Sequence, residues 1–317
     1  MKILVTGAAG FIGSRLSKAL LLRGDTVVGL DNFSPYYAEN LKIAHLKDLE
    51  TEPNFRLVRG DLRDAALVCE LFKNESFDAV AHIGAMAAVR YSVEHPLIYG
   101  EVNVQGTLNL LEAARQTSKP RCVLASTGSV YGRDTPVPFS ETAPAAMPLA
   151  PYPASKRAME LFAHSFAHLF GLNTTVLRFF NVYGPQGRPD MMPWQWSQKI
   201  SRGEEITLFN GGHLKRDWTY IDDIVSGFIL ALDANLEWEI FNLGCGVPVE
   251  NLRFVQILEG LVGQKARILD APCPPSEPLE TFADIAKARA VLGYAPRTKV
   301  EVGLTHFVEW MRAQGQL

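Results

Sequence analysis

Residues Ile3–Thr6 form a short apolar run that passes without a break into Gly7-Ala8-Ala9-Gly10-Phe11-Ile12-Gly13. Three glycines at this spacing, after a strand and before an amphipathic stretch, leave few folds open. The first permits a tight turn, the second lets the backbone approach a phosphate, and the third lets helix pack on strand. A helix opening at Phe11 then aims its free N–H groups at a pyrophosphate. Asp31 follows at the end of the second apolar run. A carboxylate there can accept hydrogen bonds from a ribose diol and repels a 2′-phosphate. No arginine in 32–37 offsets that repulsion. The pattern predicts NAD rather than NADP, bound by Gly7, Gly10, Phe11, Ile12, Gly13, Asp31 and Asn32. Asp61-Leu62, after the third apolar run, would meet the adenine; an N-cap role for Asp61 in GDLRD reads equally well.

The alternation continues. Ile3–Thr6, Thr26–Leu30, Phe55–Arg59, Ala79–His82, Cys122–Ser126 and Thr174–Phe179 read as strands. Phe11–Arg23, Glu101–Thr117 and Tyr152–Phe170 read as helices between them. Strands buried on both faces and separated by helices predict an α/β doubly wound parallel sheet. The later chain is broken by Pro185, Pro189, Pro193, Pro248 and the cluster Pro272, Pro274, Pro275, Pro278. This organisation predicts a dinucleotide-binding domain over 1–180, to which 220–243 returns. A smaller discontinuous substrate lobe is expected over 181–219 and 244–317.

Composition narrows the function. With 31 Lys+Arg against 34 Asp+Glu the net charge is −3, so no basic excess calls for a nucleic acid or an acidic membrane. No apolar run approaches the roughly 18 residues a membrane span needs. The opening MKILVTG runs into a strand with no small-residue cleavage site, which predicts no signal peptide. Cys69, Cys122, Cys245 and Cys273 have no CxxC spacing and predict reduced, mostly buried thiols in a cytoplasmic protein. The histidines, His82 and His213 among them, show no metal-ligand spacing, and Asp222-Asp223 read as the start of a helix.

Tyr152 and Lys156 stand four apart, just after Pro151. On a helix they share a face. An ammonium beside a phenol favours the phenolate, which can take a proton from a sugar hydroxyl near neutral pH. Ser126-Thr127-Gly128-Ser129 follows a strand whose carboxyl end should face the cofactor, so a hydroxyl there can share a hydrogen bond with the reacting oxygen.

TGAAGFIG, GDLRD, ASTGSVYG, YPASK, RFFNVYGP and RDWTYIDD, in that order, resemble the extended short-chain dehydrogenase/reductase family and its nucleotide-sugar epimerases. The resemblance runs from Met1 to about Leu317. It implies a Rossmann architecture, an NAD held through the cycle, Tyr152 as base, Lys156 on the nicotinamide ribose and Thr127 as hydroxyl partner. It places Asn103 near the cofactor, Arg216 on a UDP diphosphate, Phe209 against the uracil and Glu277 near a ribose. The setting PCPPSEPLE departs from the family's usual pattern around that acid. Related enzymes dimerise through the helix pair that Glu101–Thr117 and Tyr152–Phe170 resemble, so a homodimer is expected; burial of those faces against the sheet is the other reading.

Relatives that eliminate water usually carry Asp-Glu after the catalytic Thr, and the decarboxylases usually keep a Glu; this chain has Gly128-Ser129. Without an extra acid–base pair, oxidation at C4 leads most simply to 4-epimerisation. Ala88-Val89-Arg90-Tyr91-Ser92 and FFNVYGPQGRPDM resemble the UDP-glucuronate 4-epimerases, with Arg188 where a C6 carboxylate would sit. Asn181 is a residue of the UDP-glucose branch, so a neutral hexose is the alternative substrate. Ser126, Gly128 and Ser129 complete the expected sugar site. A decarboxylase, a dehydratase or a non-catalytic NAD-binding regulator are the remaining readings.

Overall fold

A computed structural model describes residues 1–275 and 277–317. Seven parallel strands form the main sheet: β1 (Lys2–Thr6), β2 (Thr26–Asp31), β3 (Phe55–Arg59), β4 (Ala79–His82), β5 (Arg121–Thr127), β6 (Thr174–Phe179) and, last in sequence, Trp238–Leu243. In space the order is Trp238–Leu243, β6, β5, β4, β1, β2, β3. The order reverses between β1 and β4, and a crevice beyond the carboxyl ends of the strands opens there. The doubly wound reading therefore holds. The late strand does return to the sheet, pairing Trp238–Leu243 with Thr174–Phe179.

Helices cover both faces. On one, Leu16 and Leu20 of the helix Phe11–Leu22 and Phe228 of Ile221–Ala234 pack in one core with Ile3, Val5 and Val123. On the other, Val68, Leu110, Leu111 and Met159 pack with Leu4, Val80 and Leu124. The successive residues Ile3, Leu4 and Val5 are all fully buried, as a strand between two helical layers requires. Beyond the sheet, Lys215–Tyr220 pairs with Asn181–Tyr183, Pro248–Glu250 and Glu280–Thr281. Glu205–Phe209 pairs with Arg267–Ala271.

Three expectations change in detail. The helix read over Glu101–Thr117 is a π-helical segment, Gly100–Gln105, followed by an α-helix, Gly106–Arg115. A π-turn widens the backbone locally and shifts the register of the side chains, and Asn103 lies inside it. The N-cap of the helix after β3 is Asp64, which accepts from the amides of Ala66 and Leu67, so Asp61 is not the cap. Of the cysteines only Cys122 is buried; Cys69, Cys245 and Cys273 are half-buried. Asp222 and Asp223 do open a helix. Asp222 pairs with Arg15, and Asp223 accepts from the amides of Arg297 and Thr298.

Candidate active site

The glycine turn fits a dinucleotide by its backbone. Gly7 has φ +70°, and a Cβ on it would lie 2.8 Å from the Cα of Gly84. A Cβ on Gly13 would lie 2.0 Å from the Gly7 carbonyl oxygen, so even alanine forces the turn apart. Gly13→Ala is accordingly expected to lower dinucleotide content, assayed after denaturing the purified protein, by about tenfold or more; undiminished content would contradict this role. Asp31 is fixed by the amides of Ala9 at 3.0 Å and Phe33 at 2.8 Å. It lines a cleft of about 570 Å³ with Gly7, Gly10, Phe11, Ile12, Gly13, Asn32, Asp61, Leu62, Tyr152 and Lys156. The Asp61 carboxyl is held down at about 2, chiefly by its hydrogen bond to Arg63, and it also accepts from Asn32 at 2.8 Å. A long polar-ended cleft with a glycine floor and a carboxylate beyond it suits a dinucleotide.

A second cleft, of about 330 Å³, meets the first. Ser126, Tyr152 and Arg188 line both. Thr127, Gly128, Ser129, Asn181, Arg216 and Glu277 line only the second. Tyr152 is carried by the helix Pro151–Phe170, which starts on Pro151 and stops at Gly171 in the left-handed conformation. Its phenol faces Thr127 at the end of β5, whose hydroxyl accepts from the Ser129 amide at 3.2 Å. A Cβ on Gly128 would come within 2.9 Å of the Phe180 ring, so this turn has no room for the acidic residue of the water-eliminating relatives.

Lys156 lies on the same helix face, and its ammonium is held by the backbone of β5. Its ammonium donates to the carbonyl of Ala125 at 2.8 Å, and burial lowers its pKa to about 8 against the opposing pull of Glu160. Burial pushes the Tyr152 phenol up; the Arg188 charge and the neighbouring Thr127 hydroxyl pull it back. The charge that opposes burial at the phenol is that of Arg188.

Some named residues support the site from behind. The Asn103 side chain is buried and lines neither cleft: its oxygen accepts from the Met86 amide at 2.8 Å, and its nitrogen donates to the Met86 carbonyl and Ser155 Oγ. Ser155 in turn donates to the Tyr152 carbonyl, so Asn103 ties the β4 loop to the catalytic helix. Ser126 lines the clefts, but its hydroxyl donates to buried Glu160 at 2.5 Å. His82 is buried between Thr6 and Thr107 hydroxyls, its pKa driven down to about 3 by burial, which makes it a structural histidine.

At the far end, Arg216 donates to Glu277 at 2.9 Å, and Arg90 approaches the same carboxylate at 3.5 Å. The Arg90 guanidinium sits 5.3 Å from the centre of the Phe209 ring, in a side groove with Trp196 and Asn251. Two guanidiniums on one carboxylate leave a net positive charge for an anion.

Three participants escaped the sequence reading. Asp190 receives Arg188 Nε at 3.0 Å and Nη2 at 2.9 Å, and Tyr36 donates to it at 3.0 Å. The side-on fork of Arg188, the residue expected to face a substrate carboxylate, is therefore occupied by Asp190. Glu160 and Arg178 form the third layer, described below. The only available signal was the pattern Lys156-x-x-x-Glu160, one further turn along the catalytic face.

No helix is long and apolar enough to cross a membrane among the described residues. Residues 3–244 match the NAD dependent epimerase/dehydratase family. UDP-glucuronate 4-epimerase 4 of Arabidopsis thaliana is 43% identical over 327 residues, covering 97% of this chain and 74% of that protein. Among solved structures, the UDP-glucuronic acid 4-epimerase of Bacillus cereus, in complex with UDP-glucuronic acid and NAD, superposes with a TM-score of 0.93 at 34% identity over 99% of this chain and 100% of that one. The UDP-glucose 4-epimerase of Thermotoga maritima, with UDP-glucose, gives 0.90 at 31% identity, covering 99% of each chain. The glycine turn, the Tyr152–Lys156 helix and these likenesses agree: the chain belongs to the NAD-dependent epimerase/dehydratase family.

Proposed function

We propose that this protein interconverts UDP-glucuronate and UDP-galacturonate by epimerisation at C4, with NAD as its resident cofactor. One observation carries the reading: the Tyr152–Thr127 pair stands where two clefts meet, beside a guanidinium and, among the described residues, without a second acid–base carboxylate. The UDP-glucuronate 4-epimerases among the similar proteins support the substrate. NAD, when bound, accepts hydride from C4 and returns it to the opposite face of the ketone.

The protein's own groups do the rest. Tyr152 takes the O4 proton and later gives it back, and Thr127 shares the hydrogen bond that positions that oxygen. Lys156, anchored on Ala125, stands ready for the ribose nearest the reacting ring. Gly7, Gly10 and Gly13 admit the pyrophosphate, Asp31 takes the adenosine ribose, and Asp61 with Leu62 borders the adenine. Arg216, released from Glu277, binds the substrate's diphosphate, and Phe209 with Arg90 borders the uracil. Segments 181–219 and 244–317 thereby act as the sugar-nucleotide lobe. A hexose fixed only at its diphosphate end can turn over between the two proton transfers.

Arg188 offers the substrate carboxylate its remaining edge, since Nη1 has no hydrogen-bond partner among the described residues. Arg188→Ala should lower kcat/KM for UDP-glucuronate by about tenfold to a hundredfold, the worth of one or two charged hydrogen bonds. Proton NMR of the reaction reads this; unchanged turnover would remove Arg188 from substrate recognition. UDP-glucose is the second reading, favoured by Asn181 on the cleft wall and by the neutral Arg188–Asp190 pair.

The homodimer belongs to this reading. On the catalytic helix, Leu161 is 53% and Leu169 67% exposed, with Phe162 beside them. This apolar strip lies away from the clefts and suits pairing with the same helix of a second copy.

A further inference from the structure

We propose that Asp190 is a specificity-determining residue: as the built-in counter-ion of Arg188, it sets how strongly the sugar site prefers a C6 carboxylate over a neutral C6 group. The inference rests on the epimerase reading above and extends it to a residue that touches neither proposed reactant.

The geometry is that of a three-membered chain. Arg188 donates through Nε and Nη2 to the two oxygens of Asp190, and Tyr36 donates to one of those oxygens. Tyr36 lies in the loop just after Asp31 and lines the dinucleotide cleft, whereas Arg188 lines both clefts. The Asp190 carboxylate therefore has three hydrogen bonds from two different walls. A side-on fork held this way fixes the plane of the guanidinium and leaves only its end-on edge for a ligand.

The charge balance follows. With a neutral hexose bound, Arg188 and Asp190 cancel and no charge is stranded. With a uronate bound, one guanidinium faces two carboxylates, so the second is held less tightly than a lone arginine would hold it. Removing the Asp190 charge reverses both situations. The uronate then forms the neutral pair, and the neutral hexose leaves a half-buried guanidinium unpaired. A residue acting only on packing would weaken both substrates alike.

The test compares Kd and kcat/KM for UDP-glucuronate and UDP-glucose in the wild-type holoenzyme, Asp190→Asn and Asp190→Glu. Asp190→Asn is expected to raise the uronate-to-glucose ratio of Kd-based affinity about tenfold. Asp190→Glu, which keeps the charge, should return the ratio towards wild type. Equal loss of both ligands in Asp190→Asn, or a ratio that does not move, overturns the proposal and leaves the epimerase reading standing. If Asp190→Asn does not fold, a uronate-to-glucose ratio in Asp190→Glu displaced as far as the predicted charge effect would equally overturn it. Failure of the wild type to bind either UDP-sugar would reject the reading itself, and the Asp190 assignment with it.

Discussion

Tyr152→Phe is expected to lower kcat for UDP-glucuronate epimerisation by about 10³-fold while leaving cofactor content and UDP affinity within a small factor of wild type. The substitution removes one oxygen and keeps the ring, whose edge packs against Tyr99 at a centroid distance of 6.0 Å. Among the described residues no other group at the junction can replace it. The carboxylates lining the clefts are Asp31, Asp61 and Glu277. Asp31 is held by two backbone amides, Asp61 by Arg63 and Asn32, and Glu277 by Arg216. Thr127 remains in the variant, but a hydroxyl with an ordinary alcohol's acidity cannot serve as the base near neutral pH. Stopped-time NMR of the anomeric protons measures the loss. A fall of less than tenfold would place the base elsewhere.

Glu160→Ala should destabilise the protein by about 3–5 kcal/mol, because it strips the partner from a buried cation. Glu160 is 0% and Arg178 1% exposed. The carboxylate accepts from Arg178 Nε at 2.9 Å, Arg178 Nη2 at 2.7 Å, Arg157 at 2.9 Å and Ser126 at 2.5 Å. On its other side Arg178 stacks 4.7 Å from the centre of the Tyr131 ring, and its Nη1 has no hydrogen-bond partner among the described residues. Without Glu160 the guanidinium would be stranded between β6 and the catalytic helix. Calorimetry should show Tm falling by about 5–8 °C. The double variant Glu160→Leu, Arg178→Met should lose less than the single one, since it strands no charge. A single variant within 2 °C of wild type, roughly the effect of a surface change, would show that the pair carries no structural weight. The loss would reach the site as well, because Ser126 positions the Thr127 turn through the same carboxylate.

The contrast between these residues explains what the sequence could reveal. Gly7, Gly10, Gly13, Tyr152 and Lys156 were legible because local backbone geometry demands them at fixed spacing, and spacing survives in a linear string. Five of the six early strands were legible because they are buried on both faces and so read as apolar runs, whereas the edge strand Phe55–Arg59 shows only its Phe55-x-Leu57-Val58 pattern between exposed arginines. Arg178 sits inside such a run and looks like an exposed interruption; only the Glu160 carboxylate on a neighbouring helix makes its burial possible. Asp190 meets Tyr36 across 154 positions of sequence, a contact no periodicity encodes. The π-turn at Gly100–Gln105 was hidden for another reason. Its apolar pattern is that of an α-helix, and the widening comes with tertiary anchoring of Asn103 to Met86 and Ser155.

The central claim is C4 epimerisation with a resident cofactor. Its most direct test is proton NMR of the purified protein with UDP-glucuronate in D2O, with no NAD added. The account predicts new galacto H1 and H4 signals, with H4 at full protium intensity because the hydrogen on C4 never exchanges with solvent. Deuterium at C4 would mean proton abstraction rather than hydride transfer. No galacto product from protein shown to carry NAD would contradict the account outright.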